Sequence, residues 1–147
     1  WQFLAGVNNN KPLWSTSEED SYPVFTDPGH VGHPAISYNA ALKRYILGIY
    51  SDVVPHREDA SDEEWRTWDK ESELQLYESI HPWGPWKIFY NEKPWGGTKH
   101  SCYLPQMPNK WLSKDGLSGT VMFSGYYNGH NYEYYALMTQ SFKLKLR

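Results

Sequence analysis

The sequence predicts an all-β fold: antiparallel four-stranded sheets repeated along the chain as blades of a β-propeller, an incomplete portion of about two and a half blades. Three observations carry this expectation. The first is the stretch 72–90, which reads strand, tight turn, strand. Leu74, Leu76 and Glu78 alternate with Gln75, Tyr77 and Ser79; Pro82, Gly84 and Pro85 force a reversal; Trp86, Ile88 and Tyr90 restart the alternation. The second is that similar short period-two stretches recur, separated by Gly-, Pro- and Asn-rich turns. The third is that only one segment, 59–70, carries a helix signal, with Ser61 as N-cap and Glu64 three residues on.

Taken in order, residues 1–7 form a strand and 8–12 a turn rich in Asn, which tolerates left-handed backbone. Residues 13–15 and 23–25 are expected to return as strand. The Gly- and Pro-rich segment 26–34 is a loop entering the strand 35–38, which turns at 39–43 and runs back over 44–50. Residues 52–71 mix acidic and basic groups and read as an insertion exposed to water. After the hairpin at 72–90 comes a loop containing Trp95-Gly96-Gly97, then a short strand at 102–105 and a long turn region at 108–119. Strands at 120–124, 132–138 and 142–146 complete the chain. The units are thus an outer hairpin (1–25), a blade (33–90) carrying the insertion 52–71, and a final blade (100–147). Such a partial ring leaves blade faces exposed, so upstream blades or a second chain are expected to complete it. The first residue, Trp1, fits a removed leader or a piece of a longer protein.

Composition bounds the partners. With 147 residues the chain can build one modest core. A net charge of -3 gives no basic surface for a polyanion, so no nucleic-acid partner is expected. Mean hydropathy is -0.74 and no apolar run is long enough to span a bilayer, so no membrane partner is expected either. Cys102 stands alone, which excludes an internal disulfide and a cysteine-based zinc site. Aromatic residues make up 17% of the chain, with eight Trp and twelve Tyr. Packed sheets use them as core. Sugar-binding grooves use exposed ones, because ring C–H groups of a sugar stack on aromatic faces.

Several motifs resemble one family. They are Phe3-Leu4-Ala5-Gly6, Pro12-Leu13-Trp14-Ser15, Pro23-Val24-Phe25-Thr26-Asp27-Pro28, Ser37-Tyr38-Asn39 with Leu42-Lys43-Arg44-Tyr45, Pro82-Trp83-Gly84-Pro85-Trp86 and Lys110-Trp111-Leu112-Ser113-Lys114-Asp115-Gly116. Together they are similar to the secreted microbial and fungal proteins filed as a domain of unknown function (number 4185). The resemblance spans nearly the whole chain except 52–71. It implies a five-bladed β-propeller, secretion, glycoside hydrolase activity on arabinofuranose-type polysaccharide, and a chain corresponding to the C-terminal half.

Propeller geometry sorts the loops into two ends. One end collects 26–32, 52–71, 91–99 and 125–131; the other collects 8–12, 39–43, 80–85 and 108–119. His30, His33, His56, His100 and His130 fall at the first end and His81 at the second. Loops on a rigid scaffold carry function, so the first end is the expected carbohydrate site. Glycoside hydrolysis needs two carboxyl groups. Asp27 and Asp52 are the catalytic candidates; Asp27 also fits a cap on the turn before Pro28-Gly29, and Asp52 an exposed acid at a strand end. His30, His33, His56, Arg57, Trp95, Lys99, His100, Tyr126, Tyr127 and His130 are the candidates for binding substrate, Trp95 as a stacking platform or as a side chain packed under its own loop. Glu78 lies by the opposite turn and receives no catalytic role. No cofactor is expected; His33 and His100 could approach closely enough to share a metal, though their spacing matches no metal motif. Three functions compete: a hydrolase, a non-catalytic lectin-like propeller, and an assembly role in which blade edges pair with another chain.

Overall fold

The computed structural model describes residues 1–52, 61, 72–97, 102–126 and 135–146. Nine strands build three antiparallel sheets, with no α-helix among the described residues. The first sheet pairs β1 (Phe3–Asn8) with β2 (Lys11–Ser15). The second runs in order β3 (Gly32–Asn39), β4 (Arg44–Asp52), β5 (Ser72–Ser79), β6 (Lys87–Glu92). The third is β7 (Cys102–Gln106), β8 (Ser118–Tyr126), β9 (Tyr135–Lys143). Among the described residues the sheets follow one another in chain order and do not close, the arrangement of an incomplete propeller.

The second sheet separates two environments because its strands alternate. The β4–β5 register puts Ile46, Tyr50, Leu74 and Leu76 on one face and Leu47, Ile49, Gln75 and Tyr77 on the other. The first set joins Trp95, Cys102, Met107, Val121 and Phe123 in the main core, with Tyr103, Met138 and Phe142 packed against it. That core lies between sheets two and three. Burying a leucine such as Leu74 there stabilises the fold by about 1.5–3 kcal/mol. Strand β7 lies against β3 and β4, so Gly48 passes close to Pro105, leaving only ordinary contact room for a Cβ. Polar groups pin the same seam. Ser37 Oγ donates to the Met107 carbonyl at 2.7 Å, Asn39 Nδ2 donates to the Gly116 carbonyl at 2.9 Å, and the Cys102 amide donates to Ser72 Oγ at 2.9 Å.

Three expectations need correction. Residues 23–25 are not strand: after β2 the chain makes a short 3-10 turn (Glu18–Asp20) and crosses sheet two without a ladder. Pro23 lacks a donor, and what anchors this segment is the Phe25 ring, 4.7 Å from Tyr77. The final unit has three described strands rather than four, because β9 runs unbroken from Tyr135 to Lys143 through Thr139-Gln140-Ser141. The two tryptophans flanking Gly84-Pro85, which the sequence places to cover the open end of their own hairpin, reach elsewhere; Trp83 meets Trp14 edge-on at 6.3 Å, and Trp86 Nε1 donates to the Val24 carbonyl at 3.0 Å. The helix expected over 59–70 lies outside the described residues, Ser61 apart.

Candidate functional site

The segment after β2 is tied first to sheet one and then across sheet two. The Tyr22 amide donates to the Leu4 carbonyl at 2.7 Å, Val24 receives the Trp86 indole, and Phe25 packs on Tyr77. Asp27 therefore comes down beside β5 rather than standing free in a loop. Its own turn is closed by the His30 amide donating to the Asp27 carbonyl at 3.0 Å, with Gly29 at φ 81° supplying the left-handed residue. The same turn brings His30 Nδ1 to 3.5 Å from Asp27 Oδ1, with both side chains open to water.

Beneath Asp27 lies a polar row on one face of β5, continued onto β6. Tyr77 Oη donates to Gln75 Oε1 at 3.3 Å, Gln75 Nε2 donates to Glu73 Oε1 at 3.4 Å, and Asn91 Nδ2 donates to the same Glu73 oxygen at 2.5 Å. Partial burial, then the carboxylates of Asp27 and Glu73, hold the Tyr77 phenol above the usual tyrosine range. Two carboxyl groups thus act on one half-buried phenol. The row was legible in principle, since 73, 75 and 77 are polar where 74 and 76 are leucine. What the sequence could not show is that Phe25 packs on Tyr77 and so brings Asp27, fifty residues earlier, near enough for its charge to act on that phenol.

His33 sits at the head of β3, exposed, within an irregular register between Gly32 and Ala35 and at φ 35°. It shares a 2.9 Å hydrogen bond between Nδ1 and Tyr50 Oη, and its ring lies parallel to Tyr50 at 5.6 Å. Tyr50 meets Tyr103 of sheet three edge-on at 5.4 Å. The imidazole is thereby fixed where two blades meet at the heads of their first strands. Gly32 is required beside it, because a Cβ there would stand 2.6 Å from the Tyr50 carbonyl.

Trp95 is not a stacking platform. It is fully enclosed, tilted on Phe123 at 4.6 Å, and its Nε1 donates to Gln140 Oε1 at 3.1 Å, so no ring face is free for a ligand. Its loop is tied by Glu92, which accepts from the Gly96 amide at 2.9 Å, from Gln140 Nε2 at 2.9 Å and from Tyr90 Oη at 2.6 Å. Asp52 ends β4 opposite Ser72, and Tyr126 ends β8 opposite Tyr135. His56, Arg57, Lys99, His100, Tyr127 and His130 lie outside the described residues. Glu78 lies on the opposite face of β5 from Tyr77, with its carboxylate 3.6 Å from Arg44 Nε. Among the described residues no group of three or more His, Cys, Asp or Glu is placed to hold a metal ion.

Comparison of the chain with protein-family models, curated proteins and solved structures returned no match.

Proposed function

We propose that this chain is part of a secreted, carbohydrate-active propeller of the domain-of-unknown-function type (number 4185). It acts as a glycoside hydrolase on arabinofuranose-type or related polysaccharide, with further blades or a second chain completing the ring. The observation that carries the reading is that Phe25 packs on Tyr77 and Tyr77 is tied through Gln75 to Glu73, so that the charges of Asp27 and Glu73 both act on one phenol, with His30 beside Asp27. Glycoside cleavage requires one carboxyl group to protonate the departing oxygen and another to activate water or attack carbon. Asp27 takes the first role. Glu73 takes the second, and Asp52 remains at the same end of the sheet, one residue beyond Ser51, which faces Glu73 across the ladder. Tyr77 and Asn91 offer hydroxyl and amide groups of the kind that orient a sugar, and buried Gln75 ties Tyr77 to Glu73.

The test is turnover of arabinan-type and xylan-type polymers by a form that includes any completing blades. Asp27→Asn and Glu73→Gln are each expected to lower the rate about 100-fold or more, the usual worth of a positioned acid or base. Unchanged turnover in Asp27→Asn removes that residue from the mechanism. A second reading, lectin-like binding without hydrolysis, draws on the other end of the sheet. There Trp14 is half exposed, touches Trp83 edge-on, and Trp83 stacks on His81 at 5.1 Å. Calorimetric binding of oligosaccharides with no product released favours that reading.

A further inference from the structure

The sheet edges of this protein are not equivalent. Edge strands present unpaired backbone groups, and proteins blunt them with proline, bulges or charge. Strand β1 is bulged at Gly6, and β2 contains Pro12. Strand β3 carries Pro34 within its own irregularity, and β6 is bulged opposite Leu76 and Tyr77. Strand β7 has both Pro105 and a register shift. Strand β9 has neither. It pairs with β8 residue for residue from Tyr135 to Lys143 without a break, and its only charge is Lys143 at one end. Among the described residues no strand lies on its outer side.

The direction of its backbone groups follows from the ladder. The Leu144 amide donates to the Leu117 carbonyl at 2.7 Å, which continues the β8–β9 register by one pair. In an antiparallel ladder, hydrogen-bonded pairs alternate with pairs that face outward. Residues 136, 138, 140, 142 and 144 therefore bond to β8. Residues 135, 137, 139, 141 and 143 turn their N–H and C=O groups to the open edge. The side chains of Leu137, Thr139, Ser141 and Lys143 are all exposed, Leu137 at 69%.

We infer that this edge pairs with β9 of a second copy of the chain, antiparallel about a two-fold axis through Thr139, joining two three-stranded sheets into one. A two-fold contact must be complementary to itself, and β9 meets that condition. In this register Thr139 faces its own mate, and Leu137 faces Ser141 of the other copy. Position 143 falls opposite 135, so the single lysine never meets itself. Each outward amide finds an outward carbonyl, the mode of recognition used in strand addition. The pairing is independent of any action on carbohydrate.

The experiment is sedimentation velocity of the full chain across a concentration series. The wild type is expected to run as a dimer. Thr139→Lys and Thr139→Glu each set like charges directly opposite one another and are expected to be monomeric, with unchanged circular dichroism. Mixing the two variants is expected to restore the dimer, because an ammonium group then faces a carboxylate across the axis. Thr139→Pro deletes only an outward amide and is expected to give a monomer. A wild type that stays monomeric at high concentration overturns the proposal, as does a dimer that survives Thr139→Lys and Thr139→Glu alike.

Discussion

Asn39 is 1% exposed, yet its side chain is a polar amide. It is retained because both ends of its amide are used: Nδ2 donates to the Gly116 carbonyl, and Oδ1 accepts the Leu42 amide at 3.2 Å. Asn39→Ala strands both partners and is expected to cost about 1–3 kcal/mol, read from the denaturant midpoint. Cys102 and Tyr90, like Tyr77, ionise later in the fold than in the unfolded chain and so weaken the fold at high pH. Burial raises the Cys102 thiol from 9.0 to about 11, with Ser72 opposing and Glu92 reinforcing the shift. Burial and the Glu92 carboxylate raise the Tyr90 phenol from 10.0 to about 12. In each case the unfolded chain releases its proton first, so deprotonation favours unfolding. Their contributions are complete below pH 9. They are expected to fall from pH 9 to about 11 for Cys102 and from pH 10 to about 12 for Tyr90. Equilibrium unfolding across that range checks this, and Tyr90→Phe should flatten the decline above pH 10.

At the scale of the element, the strands were legible where local alternation and breakers agreed. The hairpin at 72–90 resolves into β5 and β6 with its reversal at the Pro- and Gly-rich turn, and the 39–43 turn falls between β3 and β4. Reading failed where a distant partner decided the outcome. Thr139-Gln140-Ser141 looks like a polar break, but Gln140 is occupied by Trp95 and Glu92, 45 and 48 residues away. Trp95 beside two glycines looks like an exposed loop aromatic, and the same contacts take it inside. Asp27 was legible as a candidate acid, whereas its closeness to Tyr77 depends on how residues 22–27 cross the sheet. The head of β3 offers a direct check. Gly32→Ala brings a Cβ against the Tyr50 carbonyl and must shift the strand that presents His33. It is expected to change the His33 ring resonances and lower stability by about 1–3 kcal/mol.

For the molecule as a whole, the three sheets are joined unequally. Sheets two and three share the main core and the polar pins at Ser37, Asn39 and Ser72. Sheet one is a two-stranded hairpin, a unit of marginal stability by itself. It is held near sheet two by the Trp14–Trp83 contact and by the segment bearing Tyr22, Val24 and Phe25. Amides of β1 and β2 are accordingly expected to exchange with solvent sooner than those of β4 and β5. Trp14→Ala removes a ring pair worth about 1 kcal/mol and should speed exchange in that hairpin about five-fold, leaving β4 unchanged. The lone thiol of Cys102 sits on the other, tighter seam, 2% exposed, with Sγ 3.8 Å from the Trp95 carbonyl. A sulfhydryl reagent can reach it only while blades two and three are parted. The protein thereby contains a natural stopwatch: the rate at which one mixed disulfide appears with Ellman's reagent counts the openings of that joint, with no second cysteine to blur the record.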